Sequence, residues 1–325
     1  MTKHIYIYSP SGAVRDTAAF KRGVRRLQSL GHEVEVDRDA LSSHLRFAGD
    51  DAARLAAIHR AAASCADVAM ISRGGYGLTR ILSGIHYKKI AKAIERGTQF
   101  VGISDFTALQ LALLAKTGST TWAGPALCEG FGVGGSPKQG HVGGADVPDD
   151  IMEACFDDML TGQGEGTGWR QNREHLTTTT GSIAMPDCAP YVCKGTLWGG
   201  NLTMLASLVG TEYLPNIKGG ILFLEDVGEH PYRIERLLTQ LLHAGVLSKQ
   251  KAVLMGQFTE FKLSPHDRGF KLQKVYEWLG SQIKAPVVTN LPYGHVATKV
   301  LLPVGSKTKL VVEGRDAMLF WGHLD

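Results

Sequence analysis

Between Ile5 and Trp122, short β-prone runs alternate with longer runs whose apolar residues recur at helical spacing. That alternation limits the fold more than any other feature of the 325-residue chain. Ile5 to Tyr8 reads as a strand closed by the turn Ser9-Pro10-Ser11-Gly12. Residues from about 16 to 30 read as a helix ending at Gly31, Val34 to Val36 as a strand, and Asp50 to Ser64 as an alanine-rich helix. Val68 to Ser72 is another strand, and helical character returns through Leu82 and from Ile90 to Ile94. The run Gln99 to Ile103 is strand-like and passes at Ser104 into an amphipathic helix with Phe106, Leu109, Ala112 and Leu113 at helical spacing. That helix ends near Gly118, and Thr120 to Trp122 is a further short strand. Such alternation predicts an α/β fold with an open, mostly parallel sheet flanked by helices.

The pattern changes after Trp122. Gly124 to Gly144 is rich in glycine and Thr161 to Ser182 in glycine and threonine, with a short helix around Ile151 to Leu160 between them. A second periodic region opens near Tyr191. It carries strands at Gly220 to Leu224 and Ala252 to Phe258, helices at Pro231 to Ala244 and Gly269 to Ile283, and closing strands within Lys299 to Val304 and Leu310 to Val312. The expected organisation is an N-terminal domain over residues 1–130, a linker over 131–190, and a smaller C-terminal α/β domain with a mixed, β-rich sheet over 191–325.

In open α/β sheets, ligands bind at the carboxyl ends of the strands. Four polar or glycine-rich stretches fall there: Arg73-Gly74-Gly75-Tyr76-Gly77, Ser104-Asp105, Glu225-Asp226 and His295. A serine between a strand end and a helix start has its hydroxyl pushed out of the backbone, beside free N–H groups at the helix N-terminus, which suits a nucleophile that forms an oxyanion. A serine there also serves as a helix cap. The second glycine of Gly-x-Ser-x-Gly is missing, so an ordinary α/β-hydrolase elbow is not indicated. Ser104, Glu225 and His295 have the residue types of nucleophile, orienter and base. Singly, Glu225 reads equally as a surface ion pair and His295 as a turn residue. The amides of Gly74 and Gly75 could face an oxyanion or a carboxylate, or the glycines could simply allow a tight turn. Glu225 and Asp226 are adjacent along a strand and so face opposite ways, which argues against a paired-carboxylate site.

Composition narrows the classes further. With 44 % hydrophobic and 20 % charged residues, the chain is an ordinary globular one, and a net charge of +4 without basic blocks makes nucleic acid an unexpected partner. No apolar stretch reaches the length of a membrane span, and the N-terminus has no signal-peptide pattern. Five cysteines, an odd number, suggest reduced thiols in a cytoplasmic protein, with a zinc site at Cys188 and Cys193 a weak alternative. Neither a Walker loop nor His-Glu-x-x-His occurs.

Six stretches resemble, in family order, the LD-carboxypeptidase family of serine peptidases. They are Arg-Gly-Gly-Tyr-Gly at 73–77, Gly-x-Ser-Asp-Phe-Thr-Ala at 102–108, Gly-Thr-Leu-Trp-Gly-Gly-Asn-Leu at 195–202, Leu-Glu-Asp at 224–226, His-Pro-Tyr-Arg-Ile-Glu-Arg at 230–236 and Tyr-Gly-His at 293–295. The resemblance is poorest from about 128 to 190. It implies Ser104 as nucleophile, His295 as general base and Glu225 as its orienter, with oxyanion amides from Gly75 and Asp105. It also implies a cytoplasmic, metal-independent and cofactor-free homodimer. Such an enzyme would release the terminal D-alanine from muramyl tetrapeptides in peptidoglycan recycling. Arg73 and Arg233 are candidates for the substrate carboxylate, although each reads first as a structural ion pair. Two other readings remain open: amide hydrolysis of a peptide–nucleotide antibiotic, which base-stacking aromatics would favour although Trp198 and Tyr232 read equally as core residues, and a muropeptide-binding module without catalysis.

Overall fold

The computed structural model describes residues 1–134, 147–172 and 190–322. The described chain is α/β and divides into two compact units, one of residues 1–164, 212–215 and 297–304 and one of the remainder.

In the first unit, strands β1 (His4–Tyr8), β2 (Glu33–Val36), β3 (Val68–Ile71), β4 (Gln99–Gly102) and β5 (Thr121–Ala123) pair in parallel. The segment Leu302–Val304 adds itself antiparallel to β5, giving the order 304–302, β5, β4, β3, β1, β2. Helices α1 (Thr17–Ser29), α2 (Asp51–Ala63), α3 (Tyr87–Glu95) and α4 (Phe106–Thr117) lie between the strands in sequence. Asp16 and Asp50 cap α1 and α2 through their side chains. A further helix, α5 (Asp150–Thr161), buries Met152, Phe156, Met159 and Leu160 in the same core as Ile5, Val68 and Val101. Thus the short helix around Ile151 to Leu160 belongs to the first unit rather than to a connection.

Helix α4 departs from the expected amphipathic surface helix. Every residue from Phe106 to Leu114 is buried, including Thr107 and Gln110. A helix apolar on all sides belongs in the interior, and its one buried amide, Gln110 Nε2, reaches Thr121 Oγ1 at 3.3 Å. Gly118 ends the helix in the left-handed conformation, with φ of 69°. The residue that starts α4 is therefore carried on one of the most enclosed elements of the unit.

The second unit is built on a seven-stranded mixed sheet. Strand β6 (Gly166–Arg170) is followed by β7 (Tyr191–Asn201), β8 (Ile221–Val227), β9 (Ala252–Thr259) and β10 (Val287–Val288). Counting Leu302–Val304 as β11, the chain ends in β12 (Lys307–Glu313) and β13 (Asp316–Phe320). The half from β10 through β9 and β8 to β7 is parallel, and the half from β7 through β12 and β13 to β6 is antiparallel. Two stretches expected to close one sheet are thus split: β11 joins the first sheet and β12 the second. Helices α6 (Leu202–Ser207), α7 (Pro231–His243) and α8 (Leu272–Gln282) complete the unit. Trp198 is buried and donates its Nε1–H to Gln250 at 3.0 Å, so it is a core residue and offers no base-stacking face.

The glycine-rich stretches at Gly124 to Gly144 and Thr161 to Ser182 lie partly outside the described residues, as does Cys188. Among the described residues no helix is long and apolar enough to cross a membrane. Cys65, Cys128, Cys155 and Cys193 are free thiols.

Candidate active site

The candidate residues fall into two groups, one in each unit. In the first, β4 ends at Gly102 and α4 begins at Phe106, with Asp105 at its N-cap position. Ser104 is therefore one residue too early to be the cap. Its φ is 67°, a left-handed conformation that side-chain-bearing residues rarely adopt. Such a residue stores roughly 1–3 kcal/mol of strain that the surrounding structure must over-determine. The restraint is visible: Thr107 N–H donates to the Ser104 carbonyl at 2.9 Å, and Gly124 N–H to the Gly102 carbonyl at 3.0 Å.

The glycine loop lies against this turn. A Cβ on Gly74 would stand 2.6 Å from Ser104 Cβ and 2.8 Å from its Oγ, so only glycine lets the loop approach the hydroxyl so closely. The Gly74 carbonyl accepts the N–H of Gly12 at 3.2 Å. A trans peptide points its carbonyl and N–H in opposite directions, so the N–H of Gly75 is turned away from Gly12. Gly75 itself has φ of 114°. Arg73 donates to the Ala13 carbonyl at 3.4 Å and pairs with Glu129 at 3.7 Å. It thus has structural partners and braces the loop.

Asp105 is fully buried. Its carboxylate accepts the N–H of Leu78 at 2.9 Å rather than capping α4. Burial pushes this carboxyl up, against the lowering effect of the Leu78 N–H, the Ser11 hydroxyl and the Gly77 N–H.

The second group gathers at the carboxyl end of β8. His295 Nδ1 and Glu225 Oε2 are 2.8 Å apart, with Glu225 fully buried and the imidazole side chain 16 % exposed. A carboxylate on Nδ1 fixes the tautomer in which Nε2 is the basic nitrogen. Gly256 and Gly294 make room for this pair: a Cβ on either would stand 3.4 Å from Glu225 Cβ. Tyr293 packs edge-on against Phe223, and the neighbouring peptide is tied by Gln257 N–H to the Tyr293 carbonyl at 2.9 Å.

One expectation is overturned here. Glu225 and Asp226 do not simply face opposite ways. The register between β8 and β9 shifts between Leu224 and Asp226, and Asn201 Nδ2 reaches both carboxylates, Glu225 Oε1 at 3.3 Å and Asp226 Oδ1 at 2.9 Å. Asp226 also accepts from Thr203 N–H at 2.9 Å and Thr203 Oγ1 at 2.7 Å. Burial, and then the charge of Glu225, push its carboxyl up to about 6. Asn201, which caps α6 by accepting the Met204 N–H at 3.1 Å, was assigned no role from sequence. The signal for it was a capping residue directly before a helical run. Arg233 is on an exposed turn of α7, 3.7 Å from Glu229, with its guanidinium beside Tyr232.

The family model of the LD-carboxypeptidase N-terminal domain matches residues 5–124, and that of the C-terminal domain matches residues 194–310. The crystal structure of a muramoyltetrapeptide carboxypeptidase from Oxalobacter formigenes is 38 % identical, covers 97 % of both chains and superposes with a TM-score of 0.81. The murein tetrapeptide carboxypeptidase of Pseudomonas aeruginosa is 28 % identical over 95 % of this chain and 93 % of its own. The microcin C7 self-immunity protein of Escherichia coli is 29 % identical over 76 % of this chain and 72 % of its own. A structure of that immunity protein with aspartyl sulfamoyl adenosine covers all of this chain and 98 % of its own, at 25 % identity and a TM-score of 0.80.

Proposed function

The chain belongs to the LD-carboxypeptidase family and is a serine-type carboxypeptidase, and we propose that it releases the terminal D-alanine from murein tetrapeptides. The bond cut is the one between the L-centre of meso-diaminopimelate and D-alanine. Ser104 attacks the carbonyl, and His295 takes its proton and passes it to the leaving amine. Glu225 holds the imidazole and stabilises the imidazolium. The N–H groups of Gly75 and Asp105 hold the oxyanion, each worth about 3 kcal/mol of barrier. Water then hydrolyses the acyl-enzyme.

The observation that most supports these roles is the 2.8 Å contact between His295 Nδ1 and the buried Glu225 carboxylate. A buried carboxylate with a histidine as its partner is an expensive arrangement for stability alone, and it orients an imidazole as general-base chemistry requires. The strained Ser104 turn, with Gly74 pressed against its hydroxyl, supports the nucleophile in the same way. The substrate is carried over from the muramoyltetrapeptide and murein tetrapeptide carboxypeptidases to which the chain is similar. Cytoplasmic recycling of cell-wall peptides by a metal-independent homodimer belongs to the same reading.

The test is D-alanine release from a disaccharide-tetrapeptide containing meso-diaminopimelate, with EDTA present and Ser104→Ala run alongside. Release by the native protein and none by the variant is expected. No release by either overturns the substrate assignment. The full-length likeness to the microcin immunity protein favours a second reading, hydrolysis of a peptide–nucleotide amide by the same three residues. Cleavage of such an amide without D-alanine release would select it.

A further inference from the structure

We infer that the side chain of Asp105 is a positioning residue of the hydrolysis, clamping the glycine loop to the nucleophile turn and so fixing the oxyanion amides. The inference rests on the assignment of Ser104 as nucleophile and concerns a group that touches no substrate.

The loop is pinned at both ends. At its start, Arg73 holds the Ala13 carbonyl and the Gly74 carbonyl holds the Gly12 N–H. At its end, the N–H of the fully buried Leu78 donates to Asp105 Oδ2 at 2.9 Å, and the Gly77 N–H faces the same carboxylate. Between these pins are Gly75, whose N–H is the proposed oxyanion donor, and Gly74, which has no room for a Cβ beside Ser104. Asp105 is thus bonded to the serine by the chain on one side and to the loop by its carboxylate on the other. Its own N–H is the second proposed donor. One side chain ties together both donors and the nucleophile.

Asp105 is an unusual residue for this place unless the tie matters. It occupies the N-cap position yet makes no capping bond. Its Oδ1 and the Ser11 hydroxyl are both buried beside one another, and neither meets a well-aligned partner among the described residues. The strongest tie is the Leu78 N–H on Oδ2, with the Gly77 N–H and the Ser11 hydroxyl beside the same carboxylate. Without that oxygen, the buried Leu78 N–H is left unpaired, which drives the loop to move. A displacement of about 1 Å in a catalytic donor costs roughly 100-fold in rate.

The chemistry predicts which substitutions matter. Asparagine keeps a carbonyl oxygen for Leu78 and places its amide beside the Ser11 hydroxyl, which can accept. Leucine nearly matches the volume and has no acceptor. Alanine also has none and leaves a cavity. The experiment measures kcat and KM for D-alanine release by the native protein and by Asp105→Asn, Asp105→Leu and Asp105→Ala. Rates are normalised to the folded fraction from near-ultraviolet circular dichroism. The acceptor-less variants that fold are expected to lose about 100-fold in kcat with KM within about threefold, and Asp105→Asn to stay within about fivefold of native. A native kcat per folded molecule in Asp105→Leu or Asp105→Ala overturns the inference. So does an Asp105→Asn as slow as they are. If both acceptor-less variants fail to fold while Asp105→Asn folds and works, the carboxylate belongs to folding and the positioning role is overturned. A native protein that releases no D-alanine refutes the reading of the site itself, a result separate from any difference among the variants.

Discussion

Replacing Glu225 by glutamine removes one charge and almost no volume. In the native site His295 Nδ1 is 2.8 Å from Glu225 Oε2, and Asn201 Nδ2 is 3.3 Å from Oε1. When His295 takes a proton in the transition state, the charge centres of imidazolium and carboxylate are roughly 4 Å apart. At an effective dielectric near 20 their attraction is about 4 kcal/mol. Its loss corresponds to about a 1,000-fold fall in kcat. Glutamine adds a steric choice without a good answer. If its oxygen faces His295, its amide confronts the Asn201 amide, and Asn201 is held from turning by the Met204 N–H on Oδ1 at 3.1 Å. If its amide faces His295, the wrong tautomer is selected. The expected result in steady-state D-alanine release is a kcat about 1,000-fold lower with KM within about threefold. Thermal unfolding should show a loss of about 1–2 kcal/mol for the unsatisfied bond. A variant that keeps kcat within tenfold of native would refute the argument that the buried charge stabilises the imidazolium.

Ser104→Gly should abolish activity and raise stability by about 0.5–1 kcal/mol in chemical denaturation, because glycine relieves the φ of 67°; a loss of stability would count against strain at the nucleophile. Gly74→Ala should lower kcat at least about 100-fold and cost about 1–3 kcal/mol of stability, since its Cβ would stand 2.6 Å from Ser104 Cβ and displace it; unchanged kcat would show that the loop yields freely. Asp226 predicts a pH effect on stability. Its carboxyl is raised in the fold to about 6 from an ordinary 3.8, so the unfolded chain ionises first as pH rises. The associated stability is present below about pH 4 and lost as pH climbs through 6, a fall of about 3 kcal/mol. Urea unfolding of the native protein relative to Asp226→Asn should show that fall between pH 4 and 7; a flat difference would contradict it.

The strand–helix order of the first unit was legible because each segment has its own pattern: short, continuous apolar runs such as Val68–Ile71 and helical spacing such as that of α2. The Ser104 turn could be picked out because a strand ends and a helix starts within three residues of it. Its strain could not, since nothing in the letters Gly-Ile-Ser-Asp encodes a positive φ. Helix α4 read as amphipathic because Thr107 and Gln110 are polar letters, yet both are buried, and the Gln110 amide nitrogen reaches Thr121 on the neighbouring strand. The convergence of Glu225 and Asp226 on Asn201 was hidden by a register shift that a strict two-residue strand period does not contain. Strands β6 and β13 were missed because Gly166–Arg170 has two glycines among its five residues, and because β13 follows β12 after a two-residue turn. The antiparallel pairing of β11 with β5 is a long-range event with no local signal.

Rapid-quench mass spectrometry of the native protein with a murein tetrapeptide reads out whether Ser104 carries the acyl group. A transient adduct with the mass of the tripeptide acyl group is expected on the peptide that contains Ser104, formed as D-alanine leaves and absent in Ser104→Ala. D-alanine release with no adduct on that peptide at any quench time, together with release that persists in Ser104→Ala, would contradict Ser104 as the acyl carrier.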